Sequence, residues 1–314
     1  MNLHEHREEF HALTEIVSRR IGIPSDAVRR DYYIVKMMQQ LRNSEFADKC
    51  VFKGGTSLSK CYPGSINRFS EDIDLTFIPS EGLSNKQYSR ALKQIEHIMT
   101  SGFRMDKIPA ERNDRNKSSY VRPDNEDYAF CRIKLEIGSS VRPDPYSLRP
   151  MKTYIQEYLE SEKITAAIRD FCLEPVYIHT LDITRTFLDK VMAVKRHAIC
   201  GTLHEKVRHI YDVTVLYPRS DIQTFLHDSG QLRSLLILTK ETDRFYLSKR
   251  NVPASYDPTG PYDFDSWRNH FDSTIRRRYE TLHEDLLYTS GKQNFADAIQ
   301  TFEAISRIFA SIGQ

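Results

Sequence analysis

The sequence predicts an α+β fold: a small mixed β-sheet core with helices, followed by a mostly helical C-terminal region. Three observations predict it. Val51 and Phe52 form a short apolar strand that runs into Gly54-Gly55, and Asp72-Ile73-Asp74-Leu75-Thr76-Phe77 alternates acidic or polar residues with apolar ones. Arg132-Ile133-Lys134-Leu135-Glu136-Ile137 alternates again, the period of half-buried strands. Further on, the period changes, and Phe187, Leu188, Val191, Met192, Val194 and Ile199 recur at the spacing of an amphipathic helix. On this reading residues 1–48 are an N-terminal helical segment, 49–145 the core and 146–314 the helical region.

After the helical lead, Val51 and Phe52 suit a strand, Gly54-Gly55 a tight turn, and Thr56 the cap of a helix through Ser57, Leu58 and Lys60. Free backbone N–H groups at such a helix start can receive phosphate oxygens, with Lys60 adding a positive charge one turn in. Residues 61–67, with Pro63 and Gly64, read as a loop. In the next strand Asp72, Asp74 and Thr76 share one face while Ile73, Leu75 and Phe77 share the other. The two carboxylates are separated by roughly 7 Å at Cα. They can lean together on one divalent cation or a close pair that bridges to a triphosphate. A phosphate cradle just upstream of paired carboxylates is what nucleotidyl transfer needs. Ser70 points to the same side, as a regulatory hydroxyl or a local turn former.

Residues 109–126, dense in Arg, Asp and Asn, read as a flexible loop beside the acidic strand. Val121-Arg122-Pro123-Asp124 recurs as Val141-Arg142-Pro143-Asp144, read as two loop starts flanking the strand of Glu136. On that strand Glu136 is the candidate third carboxylate, as general base or as part of a metal shell. Lys134 beside it is a solvated neighbour or a phosphate contact. Pro143, Pro145 and Pro150 mark the passage to the helical part, and residues 251–261 mark another loop.

These residues resemble the AbiEii/AbiGii-type toxin family of bacterial abortive-infection and toxin–antitoxin systems, within the DNA polymerase β-like nucleotidyltransferase superfamily. The resemblance is carried by Gly54, Gly55, Thr56, Leu58 and Lys60, then by Arg68, Phe69, Ser70, Asp72, Ile73, Asp74 and Leu75. It also takes in the segment Arg30-Asp31-Tyr32-Tyr33-Ile34-Val35, the helix bearing Lys190, and Arg208-His209-Ile210-Tyr211-Asp212-Val213, spanning about residues 30–217. The gap from Gly55 to Asp72 is longer than is usual in the wider superfamily, which fits the toxin subgroup and speaks against processive polymerisation.

What the resemblance implies is a nucleotidyltransferase core using an NTP and Mg²⁺ (or Mn²⁺). Asp72 and Asp74 would be the metal ligands and Gly54, Gly55, Thr56, Ser57, Lys60 and Ser70 the nucleotide site. Lys190 and Asp212 join the catalytic set by the same likeness, Lys190 balancing triphosphate charge and Asp212 orienting Lys190 or the nucleotide. The likeness further implies tRNA or another RNA as acceptor and a cognate antitoxin as partner, with Ser70 a place where the antitoxin blocks the site. The rival readings are a small-molecule nucleotidyltransferase of the antibiotic-modifying kind, a carboxylate-metal hydrolase, and a catalytically silent nucleotide-binding partner.

Composition narrows the field. Across 314 residues, 45 basic and 43 acidic side chains leave a formal charge of +2, so any RNA contact must come from local patches. Arg19-Arg20, Arg29-Arg30, Lys195-Arg196-His197 and Arg276-Arg277-Arg278 are the candidates, the last with Tyr279 being the best suited to a tRNA backbone. Five scattered cysteines without C-x-x-C spacing indicate neither a zinc cage nor a disulfide frame, and so a reducing cytoplasm. A polar start and no run near the roughly 20 apolar residues of a membrane helix predict no signal peptide and no membrane span. The histidines show no H-E-x-x-H, and His197, His204 and His209 are placed on helix surfaces.

Overall fold

The computed structural model describes residues 1–79, 82–124, 128, 131–139, 142–247, 252–253, 256–285, 287 and 291–313. Val141 of the repeated Val-Arg-Pro-Asp and Asn251 of the proline-rich loop lie outside them. By contacts the chain divides into two units, Met1–Pro63 with Phe69–Leu181, and Gly64–Arg68 with Asp182–Gln314.

In the first unit α1 (Arg7–Ile21), α2 (Ser25–Arg42), β1 (Cys50–Lys53), α3 (Gly54–Cys61), β2 (Asp72–Phe77) and α4 (Asn85–Met99) come first. They are followed by β3 (Phe103–Lys107), β4 (Asn116–Pro123), β5 (Ile133–Gly138), β6 (Tyr146–Met151), α5 (Tyr154–Ser161), α6 (Thr165–Asp170) and β7 (Val176–Leu181). The strands form one mixed sheet in the order β3-β4-β5-β2-β1-β7-β6. β2 runs antiparallel to β1 and parallel to β5. Ile73, Leu75, Phe77 and Leu135 are buried on one face, where Tyr88 and Glu96 of α4 reach Phe77 and Ser119. A capping box between Ser84 and Gln87 starts α4, and Gly22, in the left-handed region at φ 72°, ends α1.

Four strands, β3, β4, β6 and β7, lie where the sequence analysis assigns none. β4 falls inside the expected loop of residues 109–126, because its buried positions include polar residues on both faces: Lys117, Ser118 and Ser119 are buried. Glu96 answers that polarity, since Arg112 donates to both its oxygens at 2.6 and 2.7 Å and the Ser119 hydroxyl donates as well. β6 and β7 lie inside the stretch expected to be helical, and the division between units falls after Leu181. Pro150 argues against a strand on paper, but β6 is an edge strand, where a missing N–H costs no ladder bond.

The second unit holds α7 (Ile183–Ile199), α8 (Val207–Leu216), α9 (Ser220–His227), α10 (Ser229–Leu247), α11 (Ser273–Glu280), α12 (Leu282–Asp285) and α13 (Phe295–Ser311). The Asp182 side chain caps α7 by accepting from the Thr184 amide. α7 packs on α8, α9 and α10, and α8 packs on α11 and α13. The stripe predicted from residue 187 onward is buried at Phe187, Leu188, Val191 and Val194. Among the described residues no helix is long and apolar enough to cross a membrane, and the five cysteines are free thiols.

Candidate active site

Register builds the acidic face. β1 and β2 pair Lys53 with Asp74, so the chain leaving β1 turns at Gly54 directly beside the Asp74 carboxylate. Gly54 has φ +88°, and a Cβ added there would lie 2.3 Å from Asp74 Oδ2. Only glycine tolerates both the conformation and the approach. The parallel pairing of β2 with β5 sets Asp72 opposite Lys134 and Asp74 opposite Glu136, and paired residues on neighbouring strands share a face. Asp72, Asp74 and Glu136 therefore lie on one side of the sheet. Glu136 is ion-paired with Lys134, whose ammonium is also 2.9 Å from Glu111 Oε2. Burial alone would lower the Lys134 pKa, but the bonds to Glu136 and Glu111 outweigh it and raise it above the usual lysine range. Lys134 is thus engaged by two carboxylates.

The phosphate-side residues group around the same turn, with one change. α3 begins at Gly54 after Lys53, so Thr56 is inside the helix and not its cap. The Thr56 hydroxyl instead donates to Ser70 Oγ at 2.9 Å, and the Ser57 hydroxyl donates to the Gly54 carbonyl at 3.0 Å. Gly55 is half-buried in the first turn of α3. Gly54→Ala combines a forbidden φ with a clash against Asp74. We expect it to destabilise the fold by about 1–3 kcal/mol and to lose activity out of proportion, as read by chemical denaturation beside a transfer assay.

Lys60 is placed differently from the expectation that it meets phosphate. Its ammonium lies 2.6 Å from Asp31 Oδ1, with both side chains buried, and 4.0 Å from the centroid of the Tyr154 ring. Asp31 Oδ2 accepts from the Tyr154 amide at 2.8 Å. Lys60 therefore ties α3 to α2 and to the start of α5. Motif spacing shows Lys60 on the right helix but not the carboxylate that faces it. Lys60→Ala leaves Asp31 buried without its cation, an expected loss of about 3–5 kcal/mol that urea unfolding would report.

In the second unit a charged cluster surrounds Asp212, which is fully buried. Arg68 grips it with two bonds, Nε to Oδ1 at 2.6 Å and Nη2 to Oδ2 at 2.7 Å, the bidentate fork that suits arginine to carboxylates. Lys190 Nζ is 2.7 Å from Asp212 Oδ2, so α7 and α8 bring together the two residues carried over from the resemblance. Burial by itself would raise the Asp212 pKa, but the Arg68 guanidinium and then the Lys190 ammonium hold the carboxyl well below the usual range. His209 completes the group, with Nδ1 3.4 Å from Lys190 Nζ. It is half-buried, not on the helix surface as expected, whereas His204 is exposed. Arg68 and His209 are absent from the candidate site residues. Arg68 had a signal in its place within Arg-Phe-Ser; His209 had none beyond its distance from Asp212.

Among the described residues no three His, Cys, Asp or Glu side chains converge as a preformed metal cage. The residues do fit Mg²⁺ or Mn²⁺ of the kind held by one or two carboxylates together with substrate phosphates and water. At Gly54 the absence of a Cβ lets the Asp74 carboxylate lie directly against the turn.

A mixed sheet with a Gly-Gly turn set against one of two same-face aspartates is the architecture of a nucleotidyltransferase. The chain matches the family described as nucleotidyl transferase AbiEii toxin, type IV toxin–antitoxin system, over residues 36–303, well past the span read from motifs. It belongs to that family, and it is a nucleotidyltransferase toxin of the type IV class. The fold is similar to that of MenT4, a nucleotidyltransferase toxin from Mycobacterium tuberculosis, with a TM-score of 0.50, 18% identity, and coverage of 96% of this chain and 99% of that one. A candidate nucleotidyltransferase from H. pylori aligns with a TM-score of 0.42 and 15% identity, covering 93% of this chain and 100% of that one. Comparison with curated proteins gives no match.

Proposed function

We propose that the protein transfers an NMP unit from an NTP to a hydroxyl of an RNA acceptor, tRNA foremost, with Mg²⁺ or Mn²⁺ held by Asp72 and Asp74. It does so in the cytoplasm as a toxin opposed by a cognate antitoxin. The observation that supports this reading is the close approach of Gly54 to the Asp74 carboxylate, which puts the glycine turn directly against the acidic strand. When bound at Asp72 and Asp74, the cation would supply positive charge that offsets the negative charge of the triphosphate.

The chain's own residues do the rest. The backbone at Gly54 and Gly55 and the Ser70 hydroxyl receive phosphate oxygens, while the Thr56 and Ser57 hydroxyls, expected at the phosphate from the sequence, spend their protons on Ser70 and on the Gly54 carbonyl and brace the turn instead. Glu136 takes the proton of the attacking hydroxyl or completes the metal shell. Lys190, held by Asp212, balances the charge that gathers on the phosphoryl oxygens in the transition state. Lys60, engaged with Asp31, supports α3 from beneath. For the acceptor, Arg276, Arg277 and Arg278 are exposed on α11 while Ile275 and Tyr279 are buried, a basic face suited to phosphates.

The test supplies each α-³²P-labelled NTP separately with total bacterial RNA. Label in RNA is the expected result. Label confined to a small molecule, or released as free nucleotide, overturns the RNA acceptor in favour of an antibiotic-type transferase or a hydrolase.

A further inference from the structure

We propose that His209 is a positioning residue for Lys190, acting as a neutral imidazole whose Nδ1 accepts a hydrogen bond from the lysine ammonium. The inference rests on the reading of Lys190 as the group that balances triphosphate charge. His209 lies on α8 and Lys190 on α7, with Nδ1 and Nζ 3.4 Å apart. An ammonium has only donors, so Nδ1 is the bare nitrogen and the ring proton sits on Nε2.

The surroundings hold the ring in that state. Burial disfavours the imidazolium, and Lys190, Lys206 and Arg68 repel it, while Asp212 is the carboxylate that favours it; the balance leaves its pKa well below the ordinary value. His209 and Asp212 are three residues apart on α8, so both project from one side of the helix. The lysine ammonium is thereby held by two acceptors one turn apart, one anionic and one neutral. That division matters for the charge. Arg68 already answers Asp212, and a neutral second acceptor fixes the direction of Lys190 without cancelling its charge. A second carboxylate at position 209 would hold the lysine equally well and remove the positive field an anionic substrate needs.

The experiment compares His209→Leu, His209→Asn and Lys190→Ala by steady-state transfer of label from the productive α-³²P NTP to total bacterial RNA, with thermal unfolding in parallel. Leucine fills the volume without an acceptor; asparagine places Oδ1 near the position of Nδ1. The expected result is that His209→Leu lowers kcat by roughly tenfold or more with KM for the NTP little changed, and that His209→Asn recovers most of the loss. Wild-type kcat in His209→Leu beside an inactive Lys190→Ala overturns the role of His209 alone. Equal impairment in the Leu and Asn variants also overturns it, since a packing role would not distinguish them. A fully active Lys190→Ala removes the reading of Lys190 and this inference with it. Independently of activity, ¹⁵N-histidine NMR should show the His209 signal, identified by its loss in His209→Asn, as the Nε2–H tautomer. A protonated Nδ1 at neutral pH overturns the proposal.

Discussion

Replacing Asp72 and Asp74 together by alanine is expected to abolish transfer and growth inhibition while leaving the protein folded. The loss should be at least about a thousandfold, because a bound divalent cation supplies several kcal/mol of charge stabilisation at a phosphoryl centre. Stability should hardly move. Both aspartates sit half-buried on the polar face of β2, and the residues that pack, Ile73, Leu75 and Phe77, are on the other face. Label transfer and growth arrest measure the first effect, and circular dichroism with thermal unfolding the second. Chelation of divalent cations should give the wild type the same defect without unfolding it. A double variant that still arrests growth at full strength would sink the metal-carboxylate mechanism.

The second large effect is on stability. Asp212→Ala leaves Arg68 and Lys190 buried beside each other with their shared carboxylate removed. Breaking such a group by deleting one partner costs about 3–5 kcal/mol, a large share of the roughly 5–15 kcal/mol that holds a typical domain together. The expected outcome is a sharp fall in the unfolding midpoint together with loss of activity. The pH dependence has a definite sign. The folded-state pKa of Asp212 is depressed, so its contribution is complete above the ordinary carboxylate pKa and is lost as the pH falls through the folded value. Urea unfolding of the wild type should therefore weaken below about pH 4. Asp212→Asn, which cannot titrate, should start less stable at neutral pH and show a shallower acid loss. Identical acid slopes in the two proteins would show that the cluster does not hold Asp212 ionised.

Much of the acidic face was legible without coordinates, because its signals are local. A two-residue period places Asp72 and Asp74 on one side of β2, and the same period sets Glu136 on the polar side of β5. Of the strands not read from the sequence, β3, β4, β6 and β7, two have a local pattern that is overridden, β4 and β6. In β4 buried serines and a lysine find partners in Glu96, Arg112 and loop carbonyls, and in β6 a proline is tolerated at the edge of the sheet.

Periodicity and turn chemistry were thus enough to mark out the glycine turn and the paired aspartates, since each depends on residues within a turn or a strand of one another, whereas Lys190 and Asp212 were reached only through the family resemblance. The partners of the buried charges were settled by folding. Lys60 meets Asp31 instead of the phosphate expected of it, Arg68 reaches Asp212 across 144 positions of chain, and His209 turns inward to Lys190. Whether a lysine, arginine or histidine faces a ligand or a carboxylate depends on which distant side chain shares its low-dielectric surroundings, and that neighbour has no fixed spacing along the chain.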